Sequence, residues 1–237
     1  STDTLYVANA RDGSVRLFEG SDYKTAGRIE LGSDADNVRV DASANRVFIG
    51  YGSGALAIID CRTRRKIGDI PLNGHPEGFQ IDPDQGRIFV NLPGARAVAV
   101  VDVTSRMQVA SWALGQGGNF PMAVDHVRGR ILLVFRGSSE FSVFSVTDGK
   151  PISTTETCGD ADDLFIDAKR GRVYVSCGSG FLDVFETNGA AYRRIARITT
   201  VSGARTSLFV PELDRLLVAA RATSQELAAI WIFRPMP

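Results

Sequence analysis

Apolar residues in this chain fall in short runs, and the runs keep a fixed register. The segments TLYVAN, RVFIGY, RIFVNL, RILLVF, RVYVSC and RLLVAA begin at Thr4, Arg46, Arg87, Arg130, Arg172 and Arg215, so successive copies lie 42, 41, 43, 42 and 43 residues apart. Five of the six open on Arg, and four of those follow an Asp five residues earlier: Asp41, Asp82, Asp125 and Asp167. The fifth, Arg215, has Glu212 nearby and Pro211 at the matching strand end. Within the copy from Asp36 to Leu72, NVRVD, RVFIGY, ALAIID and RKIGDIPL read as four strands, with ASAN and GSG as turns. Such runs, rich in Val, Ile and Phe and bounded by Gly, Asn, Asp and Ser, are strand-and-turn chemistry. No segment keeps helical periodicity for several turns, so no long helix is predicted.

Four-stranded units with a period of about 42 residues predict an all-β fold, a β-propeller of four-stranded blades. The repeats lie near 4–32, 33–73, 74–115, 116–158, 159–201 and 202–237 and are read as one domain over 1–237. The first unit begins at its second strand and the last stops after its third. The expectation is therefore 22 strands and six blades, some incomplete, forming an arc with unpaired sheet edges. The third strands, SVRLFEG, ALAIID, AVAVVDV, EFSVFSV, FLDVFET and LAAIWIF, are the most apolar and are expected to pack on both faces. The fourth strands, including RRKIGDIPL and YRRIARITT, carry the charge of exposed edges. The RTRRK run is accordingly read as a solvated turn and edge, not as a nucleic-acid patch.

Composition fits that picture. Hydrophobic residues make up 44% and charged residues 23%, as in a globular protein with a sizeable core. Lys+Arg and Asp+Glu are both 27, so any partner must be met through local patches, and the global basic excess of a nucleic-acid binder is missing. No apolar run approaches the roughly 18 residues of a membrane span, and STDTLYVAN does not read as a signal peptide. Three cysteines, Cys61, Cys158 and Cys177, are too few for a disulfide scaffold, although one pair is open. Cys158 and Cys177 belong to one blade, where a disulfide, a soft-metal site or two thiols all remain readings, with thiols the default. His75 and His126 are the only histidines, which excludes a multi-histidine metal site.

YVAN at Tyr6 to Asn9, followed by this register over essentially the whole chain, resembles the YVTN-type repeat of bacterial β-propellers, the YncE-like group. The resemblance implies seven blades, of which the first and the opening strand of the second lie outside this sequence. It also implies a periplasmic or extracellular location. Propellers of this type serve as binding modules and scaffolds and, in related superfamilies, as enzymes; the resemblance also suggests single-stranded nucleic acid as a partner class.

In a propeller the first strand of each blade is innermost, so the residues leading into it ring one mouth of a central channel. The lead-in segments SDADNVRVD, GHPEGFQID, GNFPMAVD, GDADDLFID and GARTSLFVP are rich in acids and amides. They supply a candidate ligand-binding rim of Asp36, Asn37, His75, Glu77, Asn119, Asp160, Asp162, Asp163, Arg205 and Thr206, with Asp34 beside it. Crowded carboxylates repel unless cations, hydrogen bonds or solvent relieve them. One reading places a divalent cation, Ca²⁺ or Mg²⁺, or a polar ligand among them, with Glu77, Asn119, Asp162 and Asp163 as candidate metal ligands. The other gives each acid to local turn hydrogen bonding.

The rim also resembles, in residue types only, the channel-mouth metal sites of the senescence-marker and gluconolactonase propellers. No catalytic residue is assigned on that basis. For a metal-dependent, lactonase-like hydrolase the candidate base would be His75, Glu77 or Asp162. The preferred reading is a non-catalytic binding or scaffold propeller that presents the rim to a small ligand or protein. Asp41, Asp82, Asp125 and Asp167 are read as turn or ion-pair elements, GYGSGA at Gly50 to Ala55 as a hairpin turn, and Phe120, Phe165 and Phe209 as packing between blades.

Overall fold

A computed structural model of the chain describes residues 3–189, 191–224 and 227–236, and among them are 22 strands and two short 3-10 turns, Pro93–Ala95 and Pro211–Leu213. The strands form six antiparallel sheets, three in each of two compact units that divide after Gly117. In the first unit, β1 (Thr4–Asn9), β2 (Ser14–Glu19) and β3 (Lys24–Glu30) make a three-stranded sheet. It is followed by β4 (Asp36–Asp41), β5 (Arg46–Tyr51), β6 (Ala55–Asp60) and β7 (Arg65–Pro71), and by β8 (Phe79–Asp82), β9 (Arg87–Leu92), β10 (Ala97–Asp102) and β11 (Met107–Ala113).

The second unit holds β12 (Asn119–Asp125), β13 (Arg130–Phe135), β14 (Glu140–Ser145) and β15 (Pro151–Glu156), then β16 (Ala161–Asp167), β17 (Arg172–Cys177), β18 (Phe181–Asn188) and β19 (Ala191–Thr199). Its last sheet has three strands, β20 (Ser207–Val210), β21 (Arg215–Ala220) and β22 (Ala229–Phe233). Each sheet runs in chain order, every neighbour joined by a hairpin. The six predicted repeat starts open β1, β5, β9, β13, β17 and β21.

In the four-stranded sheets the second and third strands are buried on both faces, which explains their continuous apolar runs. In β5 and β6, Val47, Ile49, Ala57 and Ile59 pack with Val15 and Leu17 of the preceding sheet, whereas Phe48, Leu56 and Ile58 pack with Phe79, Ile88 and Ala99 of the following one. The second unit repeats the arrangement: Val173 and Val175 of β17 face Leu132 and Phe141, and Tyr174 faces Phe209 and Val218. In these sheets the second strands are thus as deeply buried as the third, whereas β1, a second strand at the start of the sequence, leaves Leu5 47% and Val7 41% exposed. β22 departs from the expectation for third strands, with Ile230 58% and Ile232 63% exposed. No strand pairs beyond it among the described residues, so its faces lack the cover that buries β6 and β10.

The fourth strands have one face in contact and one exposed, as β11 shows by strict alternation. Each of the five carries a bulge opposite its third strand, and in four of them the extra residue is an exposed aliphatic: Ile67, Val109, Ile152 and Ile195. A bulge turns one added side chain out of the pleat.

The recurrent Asp before each turn lies directly opposite its Arg across the ladder, as in Asp125 and Arg130 or Asp167 and Arg172. The ion pairs form elsewhere. Asp125 and Asp167 each accept the backbone N–H three residues on, from Arg128 at 3.1 Å and Arg170 at 3.2 Å, and pair with those same side chains at 3.0 and 2.9 Å. Asp41 likewise accepts from Ala44 N at 3.1 Å and from the Ser43 hydroxyl at 2.6 Å. These carboxylates close turns by accepting the backbone N–H groups of the turn itself.

Candidate functional site

The lead-in segments do not simply precede their strands; they are drawn into them through bulges. In β4 the ladder to β5 skips Asn37, in β12 it skips Phe120 and Pro121, and in β16 it skips Asp162. A bulge re-aims the side chain of the extra residue. The same feature at the same place in three sheets therefore sets apart Asn37, Phe120 and Asp162. Asn37 sits at φ +47° and donates its N–H to Asp36 Oδ1 at 2.7 Å.

The densest arrangement lies in the second unit. Asp160, at φ +59°, leans over Gly178, and its backbone oxygen accepts the Gly178 N–H at 2.8 Å. A Cβ at position 178 would fall 1.9 Å from the Asp160 carboxylate, so only glycine admits this approach. Arg205 Nη1 lies 2.7 Å from both Asp160 oxygens, and its Nε is 3.5 Å from Asp162 Oδ2. Arg136 pairs with Asp162, donates from Nε to Ala161 O at 3.1 Å, and lies 3.9 Å from Asp160. Its guanidinium stacks 3.5 Å from the centre of the Phe120 ring. Asp163 is held differently, its carboxylate accepting the Ser207 N–H at 2.7 Å while Ser207 Oγ meets Ser176 Oγ at 2.7 Å. Three acids thus interleave with two arginines and a backbone donor, which relieves the repulsion that their sequence spacing implies.

Arg136 was not among the sequence candidates. Its signal lay in the repeat: the residue after each second strand is Gly52, Pro93 and Gly178 in three copies, but Arg136 and Arg221 in two others. Phe120, expected to pack between blades, is instead the platform for Arg136, because its bulge lifts it out of the ladder. Phe165 and Phe209 do pack into the apolar cluster around Tyr174. Thr206 is exposed and contributes its carbonyl to Ala219 N at 2.9 Å, and Asn119 is fully buried in β12.

In the first unit, His75 Nδ1 lies 2.6 Å from Gly52 O. Gly52 belongs to the β5–β6 hairpin, as the reading of GYGSGA anticipated, and its N–H meets Ser33 O and Asp34 O at 3.1 and 3.2 Å. The contact directs His75 Nε2 toward Asp34 at 3.6 Å and Glu77 at 3.8 Å, both in the same unit. His75 therefore ties three loops together rather than standing in solvent. His126 is exposed in the turn after β12.

Of the candidate metal ligands, Glu77 belongs to the first unit and Asn119, Asp162 and Asp163 to the second. A divalent cation at Asp162 would meet the guanidinium groups of Arg136 and Arg205, and one at Asp163 would compete with the Ser207 N–H. Among the described residues no group of three or more His, Cys, Asp or Glu side chains is arranged to hold a metal. Asp162 and Asp163 as placed are engaged in charge pairing and a backbone hydrogen bond.

The two cysteines of the fifth sheet are joined: Cys158, before β16, and Cys177, at the end of β17, form a disulfide with Cα atoms 5.8 Å apart. The thiol default is thereby corrected. Both residues are buried, and the link ties the segment leading into β16 to the strand beside it, Cys177 being next in sequence to Gly178 and Cys158 two residues before Asp160. Cys61 is a free, buried thiol whose pKa is pushed up, first by burial and then by the nearby Asp60 carboxylate.

No protein-family model matches the chain, and no curated protein sequence matches it. Solved structures match it over almost its full length. A chain of the Mitotic Checkpoint Complex superimposes with TM-score 0.83 at 13% identity, covering 98% of this chain and 72% of that one. The β-propeller domain of Myceliophteria thermophila Cps50 (Swd1) gives 0.78 at 9%, covering 98% and 80%. Hydrazine synthase of Kuenenia stuttgartiensis gives 0.77 at 16%, covering 92% and 71%. At these identities the likeness establishes the fold, an all-β propeller of four-stranded antiparallel blades, here with six sheets among the described residues. One of these neighbours belongs to a complex and another is a synthase, so fold alone does not select a function.

Proposed function

We propose that this chain is a non-catalytic binding or scaffold propeller of the cell envelope, and that the interleaved Arg and Asp side chains of its lead-in segments receive a peptide or protein partner. The observation that carries the reading is the Asp160–Arg205 pair, 44% and 40% exposed, resting on the less exposed Arg136–Asp162 pair. The lower pair and the Phe120 platform hold the geometry. The upper pair reaches solvent on both sides and can exchange its internal contact for a partner's charged groups, a use in which surface charge sets specificity and encounter rate. Asp162, a candidate base, is committed to Arg136, which favours recognition over acid–base chemistry.

Asp163 and Thr206 belong to the lead-in segments of the same unit and are included in the proposed surface, whereas Asn119, fully buried in β12, supports it from within; Asp36, Asn37, His75 and Glu77 are proposed as a corresponding surface of the first unit. The YVTN-type register supports membership in that repeat group, one propeller domain over the whole sequence, and a reading of the six sheets as six of seven blades. The Cys158–Cys177 disulfide supports an oxidising compartment such as the periplasm or cell exterior. No helix of the described residues is long and apolar enough to cross a membrane.

The test is an array of short charged peptides probed with the wild type, Asp160→Asn and Arg205→Ala. Peptides with neighbouring acidic and basic residues should be retained by the wild type at low salt. Either substitution should weaken them roughly fivefold, the value of about 1 kcal/mol for an exposed ion pair. Retention that is equal for all three proteins, or no retention by the wild type, contradicts the proposal.

A further inference from the structure

At the opposite ends of β16 and β17 from the Asp160 cluster, the second unit has a cleft of about 730 Å³ lined by Lys169, Arg170, Arg172, Asp214, Arg234, Pro235 and Met236. Its volume lies within the range of roughly 300–1,000 Å³ typical of small-molecule sites. The charges are not interchangeable. Arg170, its side chain only 10% exposed, is clamped between Asp167 Oδ2 at 2.9 Å and both oxygens of Asp214 at 2.7 and 2.8 Å. Asp167 also accepts the Tyr174 hydroxyl at 2.7 Å. Asp214, the carboxylate in the cleft lining, and the buried Asp167 behind it are thus both engaged with Arg170, and the Arg170 hydrogen bonds hold the Asp214 carboxyl down at about 2.

Three further cations line the cleft. Lys169 Nζ stands 3.5 Å from Asp214 and is 72% exposed, Arg172 donates from Nη1 to Met236 O at 2.6 Å, and Arg234 is exposed on the segment after β22. Four cationic side chains and one carboxylate, Asp214, line the cleft, so its lining is predominantly cationic. Pro235 and Met236 add an apolar wall. Guanidinium groups recognise tetrahedral oxyanions through paired N–H donors, and an ammonium adds a point charge.

We infer that this cleft binds an organic phosphate, its dianionic phosphoryl group held by Lys169, Arg172 and Arg234 and its apolar part laid on Pro235 and Met236. The Arg170–Asp167–Asp214 clamp positions the turn that carries Lys169 and takes no direct part. The inference is independent of the proposed peptide surface, since it uses no residue of the lead-in segments.

The experiment is calorimetric titration of the full chain at low salt with phenyl phosphate, inorganic phosphate and benzoate. Phenyl phosphate should saturate a single site, inorganic phosphate should bind more weakly, and benzoate should bind at least tenfold more weakly than phenyl phosphate. Arg234→Glu and Lys169→Glu, both at exposed positions, should each weaken phenyl phosphate by tenfold or more. Lys24→Glu makes the same charge change at an exposed lysine of the first unit and should leave affinity unchanged. Absence of saturable phenyl phosphate binding, equal affinity for benzoate, or an equal loss in Lys24→Glu would each overturn the assignment.

Discussion

Asp183 has no exposed surface, yet it stands in β18 among residues read from the sequence as an apolar third strand. Arg197 grips it through Nε at 2.7 Å and Nη2 at 2.8 Å, Thr157 donates at 3.1 Å, and Arg194 lies 3.4 Å away. The Asp183 hydrogen bonds raise the Arg197 pKa above its ordinary value. The two partners are unequal, because Arg197 is 33% exposed and Asp183 is not exposed at all. Removing Arg197 leaves the buried carboxylate with only Thr157 and the more distant Arg194, whereas neutralising the acid leaves a guanidinium that can turn to water. Arg197→Ala is therefore expected to cost about 3 kcal/mol in urea unfolding, and Asp183→Asn distinctly less. Equal costs, or a larger cost for Asp183→Asn, would contradict this account. The turn aspartates were legible residue by residue because their partners lie three positions along the chain. Asp183 and Arg136 were not, since their environment is set by neighbouring strands and sheets that no local pattern encodes.

The strands were legible in type and order. Arg and Lys marked the fourth strands, continuous apolar runs marked the doubly buried ones, and Gly, Asn and Asp marked the turns. The bulges at Asn37, Phe120 and Asp162 were not, because a bulge is a mismatch between two strands and each strand read alone looks regular. The covalent link of Cys158 to Cys177 belongs to this scale too, as it joins a lead-in segment to the strand beside it across a separation of 19 residues. A closed loop of that length is worth about 3 kcal/mol in the chain-entropy view. The Cys158→Ser, Cys177→Ser double variant should lose roughly that stability in urea. Burial of both sulfurs should keep native protein slow to reduce. Three alkylatable thiols in the denatured, unreduced chain would contradict the link; one, from Cys61, is expected.

For the molecule as a whole, six repetitions made the architecture readable, since errors in any one unit are averaged against five others. The function is written in what the repeats do not share. Arg136, Arg205 and the acids around them are individual departures from a common frame, and their mutual pairing turns an acidic run into a nearly balanced surface. The central claim is that this pairing serves recognition and not cation chemistry. Calorimetric titration of Ca²⁺ and Mg²⁺ into the wild type, Asp162→Asn and Glu77→Gln tests it most directly. The account expects no saturable heat from the wild type and no difference among the three proteins. Stoichiometric binding to the wild type that disappears in Asp162→Asn would contradict it and make a metal-dependent hydrolase the reading to pursue.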